Sequence, residues 1–151
     1  MLTIEEFIAN LKGTEWQEVE CKIVSIENWQ SVEEYVVKCF EKPNDARLVI
    51  NELLLNALTA TAGLDSETKT NIMQEDTFAG VIKERLESNE KFVTLKLVRN
   101  SDTIDIVITD MGGPSDFDIQ KYLEHAKNNT KSLEQHGRGL LLVSRLVSAG
   151  K

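Results

Sequence analysis

Cysteine is scarce and unpatterned in this chain of 151 residues. Cys21 and Cys39 stand alone, with no CxxC pair and no histidine at a ligand-like spacing. That disfavours a disulfide framework or a zinc site and leaves buried, reduced thiols as the expectation. No apolar run approaches the ~20 residues of a membrane helix. The N-terminus carries Glu5 and Glu6 and has no basic stretch ahead of an apolar one, so a secretory signal is not expected. A cytoplasmic location is the resulting expectation. Internal repeats and low-complexity tracts are absent, as is any GxxxxGK[ST] phosphate loop. Positive charge is in deficit: 17 Lys and Arg stand against 25 Asp and Glu, a formal charge of −8. Such a balance disfavours direct binding to nucleic acid. An acidic chain that binds phosphates must offset them locally, with cations, backbone N–H groups or a metal.

What remains is ordinary globular material, 41% hydrophobic and 28% charged. It is enough for one domain with a real core. Residues 3–11 read as a helix, with Thr3 as N-cap and Glu6 completing a capping box. Residues 18–26 alternate as a strand. Residues 31–40 read as a second helix, capped by Ser31 with Glu34 and stopped by Pro43. Asn44 or Asp45 then caps a longer helix that ends at Gly63. Residues 65–71 are a polar loop. Residues 76–87 are an amphipathic helix, with Phe78, Ile82 and Leu86 on one face.

Residues 92–99 and 103–109 read as a hairpin, with Asn100, Ser101 and Asp102 at the turn. A short helix over 116–126, a polar aperiodic segment over 127–136 and a closing apolar helix over 140–147 complete the reading. Helices with an antiparallel hairpin point to an α+β, two-layer α/β sandwich rather than a doubly wound parallel sheet.

Three polar interruptions carry the chemistry. Glu52 and Asn56 break an otherwise apolar helix at i, i+4, on one face. A carboxylate and an amide in apolar surroundings are costly without partners, and a metal with its water would supply them. Asp110 emerges at the end of the second hairpin strand, followed by Gly112 and Gly113, which let a planar ring approach the backbone. Gly137, Arg138 and Gly139 precede the apolar run from Leu140. If that run is a helix, its free N–H groups form a phosphate seat.

In this order the three motifs resemble the N, G1 and G2 boxes of the ATPase superfamily shared by gyrase, heat-shock chaperones, histidine kinases and mismatch-repair ATPases. The likeness is strongest to the bacterial anti-sigma-factor serine kinases and spans residues 45–147. It implies a Bergerat-type fold, with helices on one face of a mixed, largely antiparallel sheet, and ATP and Mg²⁺ as cofactors. It further implies that Asn56 binds the metal, that Glu52 is the general base, and that Asp110 accepts from the adenine amino group beside Gly112 and Gly113. Gly137, Arg138, Gly139 and Leu140 would meet the triphosphate, under a lid at 127–136.

By the same resemblance the partner is a protein, a sigma factor or its antagonist, with room for a homodimer and no membrane or direct nucleic-acid contact. Three departures stand out. Ala60 replaces a histidine common in those kinases, Pro114 replaces a glycine, and residues 71–89 add a helix where the relatives have a short connection. The relatives also continue into one or two further strands, so an edge of the sheet is expected to be short or to be completed by a partner. A nucleotide-dependent binding module without phosphotransfer is the alternative.

Overall fold

In the computed structural model, residues 1–64, 78–111, 132–136 and 139–150 are described, with 132–136 and 139–143 described as backbone only. The elements run α1 (Ile4–Lys12), β1 (Glu18–Ile23), α2 (Ile26–Val37), α3 (Pro43–Thr61), α4 (Phe78–Ser88), β2 (Val93–Asn100), β3 (Thr103–Thr109), β4 (Ser132–His136) and β5 (Gly139–Val147). The five strands form one sheet in the order β1-β2-β3-β5-β4, and every named pairing in it is antiparallel. The chain is an α+β domain.

The hairpin follows its pattern. Ile104, Ile106 and Ile108 alternate inward on β3, opposite Leu97 and Leu95 of β2. Val19, Cys21 and Ile23 extend the same buried face across β1. Ser101 turns the hairpin at a φ of 48°, in the left-handed region. The opposite face is charged: Lys96 bridges to Glu18 at 2.6 Å, and Arg145 of β5 bridges to Asp105 at 2.6 Å.

The helices cover the buried face. Thr3 and Glu6 form the full capping box that opens α1. The second helix begins earlier than its sequence pattern indicated. Its cap is Ser25, whose side chain accepts from the Asn28 N–H, while Ser31 lies inside the helix and donates to the Glu27 carbonyl. That shift brings Trp29, Val32 and Val36 into one buried stripe. Pro43 opens α3 at its first turn, where its missing N–H costs nothing, and no side chain caps that end.

At the other end of α3, Gly63 adopts a φ of 73°. The Leu64 N–H donates to the Thr59 carbonyl at 3.0 Å, and the Gly63 N–H donates to the Ala60 carbonyl at 3.1 Å. This pair of bonds is a Schellman closure. Arg85 of α4 adds Nη1 to the Ala62 carbonyl at 3.3 Å. No helix among the described residues is long and apolar enough to cross a membrane.

Two regions depart from the sequence reading. Residues 139–147 form a strand rather than a closing helix, and 132–136, expected in an aperiodic lid, form β4. An uninterrupted apolar run fits a buried strand as well as a helix. Cross-strand partners decide between them here. Ser144 lies opposite Ile106 and is fully buried, and Arg145 lies opposite Asp105. The loop expected at 65–71, the first residues of the helix expected over 76–87, the helix expected over 116–126 and the lid segment 127–131 lie outside the described residues.

Candidate functional site

The third helix packs on the sheet through Ile50, Leu53, Leu54, Ala57, Leu58 and Thr61, all buried. Glu52 and Asn56 fall beside this face. At about 100° per residue they are separated by roughly 40° around the axis and one turn along it. Both are half-buried. The helix therefore presents a carboxylate and an amide together on its flank, as their spacing indicated. Thr59 lies one turn on and donates its hydroxyl to the Leu55 and Asn56 carbonyls, each at 3.0 Å.

Asn51 faces another way. Its Oδ1 accepts the indole N–H of Trp29, which ties α3 to α2 and gives a buried indole donor its partner. This is a structural role that the sequence did not reveal, because the pairing spans two helices.

Asp110 follows β3 directly and is only 5% exposed. The chain leaving the strand is held on two sides. The Met111 N–H donates to Thr61 Oγ1 at 3.4 Å, and Met111 Sδ accepts from the Phe92 N–H at 3.1 Å. The last turn of α3 and the exit of β3 thus meet at Thr61 and Met111. Asn56 lies five residues before Thr61, about 7.5 Å along the helix axis at 1.5 Å per residue. The first two motifs are brought to neighbouring ends of adjoining elements. Nothing in the sequence pattern marks Thr61 and Met111 as partners. A threonine near the end of an apolar helix is the only signal, and it does not name a partner.

The third motif is placed differently from expectation. Gly139 and Leu140 begin β5 and pair with His136 and Gln135 of β4. Because no helix begins at Gly139, the proposed phosphate seat of free helical N–H groups is not formed there. Gly137 and Arg138 lie outside the described residues, as do Gly112, Gly113 and Pro114.

Among the described residues, no group of three or more His, Cys, Asp or Glu side chains is arranged to hold a metal ion. The Asn56 amide oxygen is of the kind Mg²⁺ takes, since that hard cation accepts oxygen ligands and keeps most of its waters. Neither cysteine joins this chemistry. Cys21 is fully buried, and burial pushes its thiol up to about 12, with Glu20 adding to the shift. Burial pushes the Cys39 thiol up to about 11, against the opposing pull of Arg99. Thiols held protonated in this way are poor nucleophiles.

Compared with protein-family models, with curated proteins and with solved structures, the chain matches none of them.

Proposed function

We propose that this α+β domain is an ATP-binding regulatory kinase with a Bergerat-type site, transferring the γ-phosphoryl group to a serine or threonine of a protein partner. The observation that carries the reading is the Thr61–Met111 contact. Through it, the helix bearing Glu52 and Asn56 adjoins the strand end bearing the buried Asp110. Those three residues match in type, order and spacing the N and G1 boxes of the anti-sigma-factor kinases they resemble.

Each residue has a role its chemistry suits. Asp110 accepts a hydrogen bond from the adenine amino group, and guanine offers a carbonyl oxygen at the corresponding position. Asn56 offers its amide oxygen to Mg²⁺, which when bound offsets phosphate charge. Glu52, one turn away, takes the proton of the attacking hydroxyl as general base. The partner would be a sigma factor or its antagonist, as the resemblance implies.

A second reading has its own support. With 139–147 a strand, the triphosphate loses the helix N-terminus expected at Gly139, and Ala60 stands where those kinases often have a histidine. Both favour a nucleotide-dependent binding module without phosphotransfer. In such a module, ATP shifts the population competent to bind a protein partner. Incubation with γ-labelled ATP, Mg²⁺ and candidate protein partners separates the two. Label on a partner serine or threonine supports the kinase. Partner binding that needs ATP but leaves no label supports the module.

A further inference from the structure

At the end of the sheet away from Asp110, a cavity of about 410 Å³ opens between α1, α2 and the end of β2. Its lining includes Leu11, Lys12, Tyr35, Lys38 and Arg99, together with Ser148, Ala149 and Gly150. Three cations converge here in a chain whose net charge is −8. None of the cavity's lining residues is Asp or Glu. Lys38 has no ion-pair or hydrogen-bond partner for its ammonium among the described residues. Lys12 rests over the Tyr35 ring at 5.5 Å from its centroid.

Arg99 is built into the wall. It stacks 4.1 Å over the Trp16 ring, donates Nη1 to the Thr14 carbonyl at 2.8 Å, and is anchored by its own N–H to the Gln17 carbonyl at 2.8 Å. Its Nε is buried with no hydrogen-bond partner. Being buried, that atom is not reachable from the cleft, so Arg99 contributes its positive charge there rather than this donor.

A simpler role for the lysines is to offset the helix C-termini, since Lys12 ends α1 and Lys38 caps α2. Each such terminus carries roughly half a negative charge. Two of them cancel about one of the three cations. Roughly two positive charges remain, which matches the charge of about −1.5 to −2 on a phosphate monoester near neutral pH. The volume exceeds that of a phosphate alone and falls within the roughly 300–1,000 Å³ of small-molecule sites. Leu11 and the Tyr35 ring offer an apolar and aromatic wall for the remainder of a ligand.

We propose that this cleft is a second ligand site, which takes a small organic molecule carrying a phosphate group. It is separate from the nucleotide site and does not depend on that reading. The lysines serve as point charges for the phosphate, and the Arg99 guanidinium, held by Trp16 and Thr14, adds a fixed positive charge at the wall.

Backbone amide NMR of the whole chain tests this, with phenyl phosphate, inorganic phosphate and succinate as probes at ionic strength matched with sodium chloride. Phenyl phosphate should give saturable shifts centred on Gly13, Thr14, Cys39 and Gly150, and inorganic phosphate weaker shifts of the same amides. The Lys12→Gln/Lys38→Gln double variant changes two exposed side chains, so its unfolding midpoint serves as the fold control. It should bind phenyl phosphate roughly tenfold more weakly or worse. Asp110→Asn should leave these shifts unchanged, which separates this cleft from the nucleotide site. Shifts that sodium chloride reproduces, or that survive in the double variant, would overturn the proposal. Succinate binding as tightly as phenyl phosphate would overturn the phosphate assignment.

Discussion

Asp105 and Arg145 face each other across β3 and β5, joined by two hydrogen bonds, Nε to Oδ1 at 2.6 Å and Nη2 to Oδ2 at 2.9 Å. Asn100 adds a third donor to the same carboxylate at 3.0 Å. The carboxylate holds the Arg145 guanidinium above its ordinary range, by hydrogen bonding first and charge second. The pair lies in the β3–β5 register, where Asp105 is directly opposite Arg145. Reversing either charge alone, Asp105→Arg or Arg145→Asp, should lower the unfolding midpoint. The double swap should recover most of the loss. Additive losses, with no recovery in a double-mutant cycle, would show that the two residues are not coupled.

The contact between Thr61 and Met111 makes a second expectation. Thr61→Val keeps the shape of the side chain but removes the acceptor for the Met111 N–H. A stability loss of about 0.5 kcal/mol is expected, because at 3.4 Å the hydrogen bond is long and lies at the weak end of the range. Adenine nucleotide affinity should fall as well, because the chain around Asp110 loses one of its two anchors. Denaturant unfolding and calorimetric titration read the two effects separately. A stability loss with unchanged affinity would detach Thr61 from the site.

Much of this fold is legible in local patterns, and the misreadings have specific causes. Thr3 and Glu6 form their capping box because both signals lie within four residues. The hairpin of β2 and β3 follows from alternation alone. The sequence places the start of the second helix too late because Ser31 and Glu34 mimic a capping box, whereas Ser25 is the cap. The residue that betrays the earlier start is Trp29, buried on the helix with its indole N–H donated to Asn51 of another helix. The run from Leu140 to Val147 carries no period, so only partners distant in sequence decide its state. Of the candidate site, the pairing of Glu52 with Asn56 was visible from spacing. The Thr61–Met111 tie was not, because its two residues are far apart in the chain.

The thiols give a pH expectation. Cys21 ionises in the folded state at about 12, against 9.0 ordinarily, because burial disfavours the thiolate. A folded-state value above the unfolded one means stability that is fully present below pH 9. It is lost progressively as pH rises towards about 12, since only the unfolded chain releases the proton in that window. Unfolding midpoints should therefore fall above pH 9, and Cys21→Ser should flatten part of that slope. Iodoacetamide at pH 8 should label Cys21 only after denaturant is added. Rapid labelling of the native protein would contradict the burial of Cys21.

Glu52 and Asn56 separate chemistry from binding. Glu52→Gln should retain ATP affinity while losing roughly 10²–10⁴ in phosphotransfer rate, the usual worth of a general base. Asn56→Ala should remove the Mg²⁺ dependence of nucleotide binding. Single-turnover assays with γ-labelled ATP, beside calorimetric titrations with and without Mg²⁺, distinguish these outcomes. Unchanged phosphotransfer in Glu52→Gln would take the base assignment away from that residue.

The adenine nucleotide site proposed around Asp110 is tested by thermal unfolding with ATP and with GTP in the presence of Mg²⁺. At ligand concentrations ~100-fold above Kd, ATP should stabilise the domain by about 2.7 kcal/mol. GTP should produce no comparable shift, and Asp110→Asn should lose most of the ATP effect. Equal shifts from the two nucleotides, or no shift from ATP, would rule out an adenine site at Asp110.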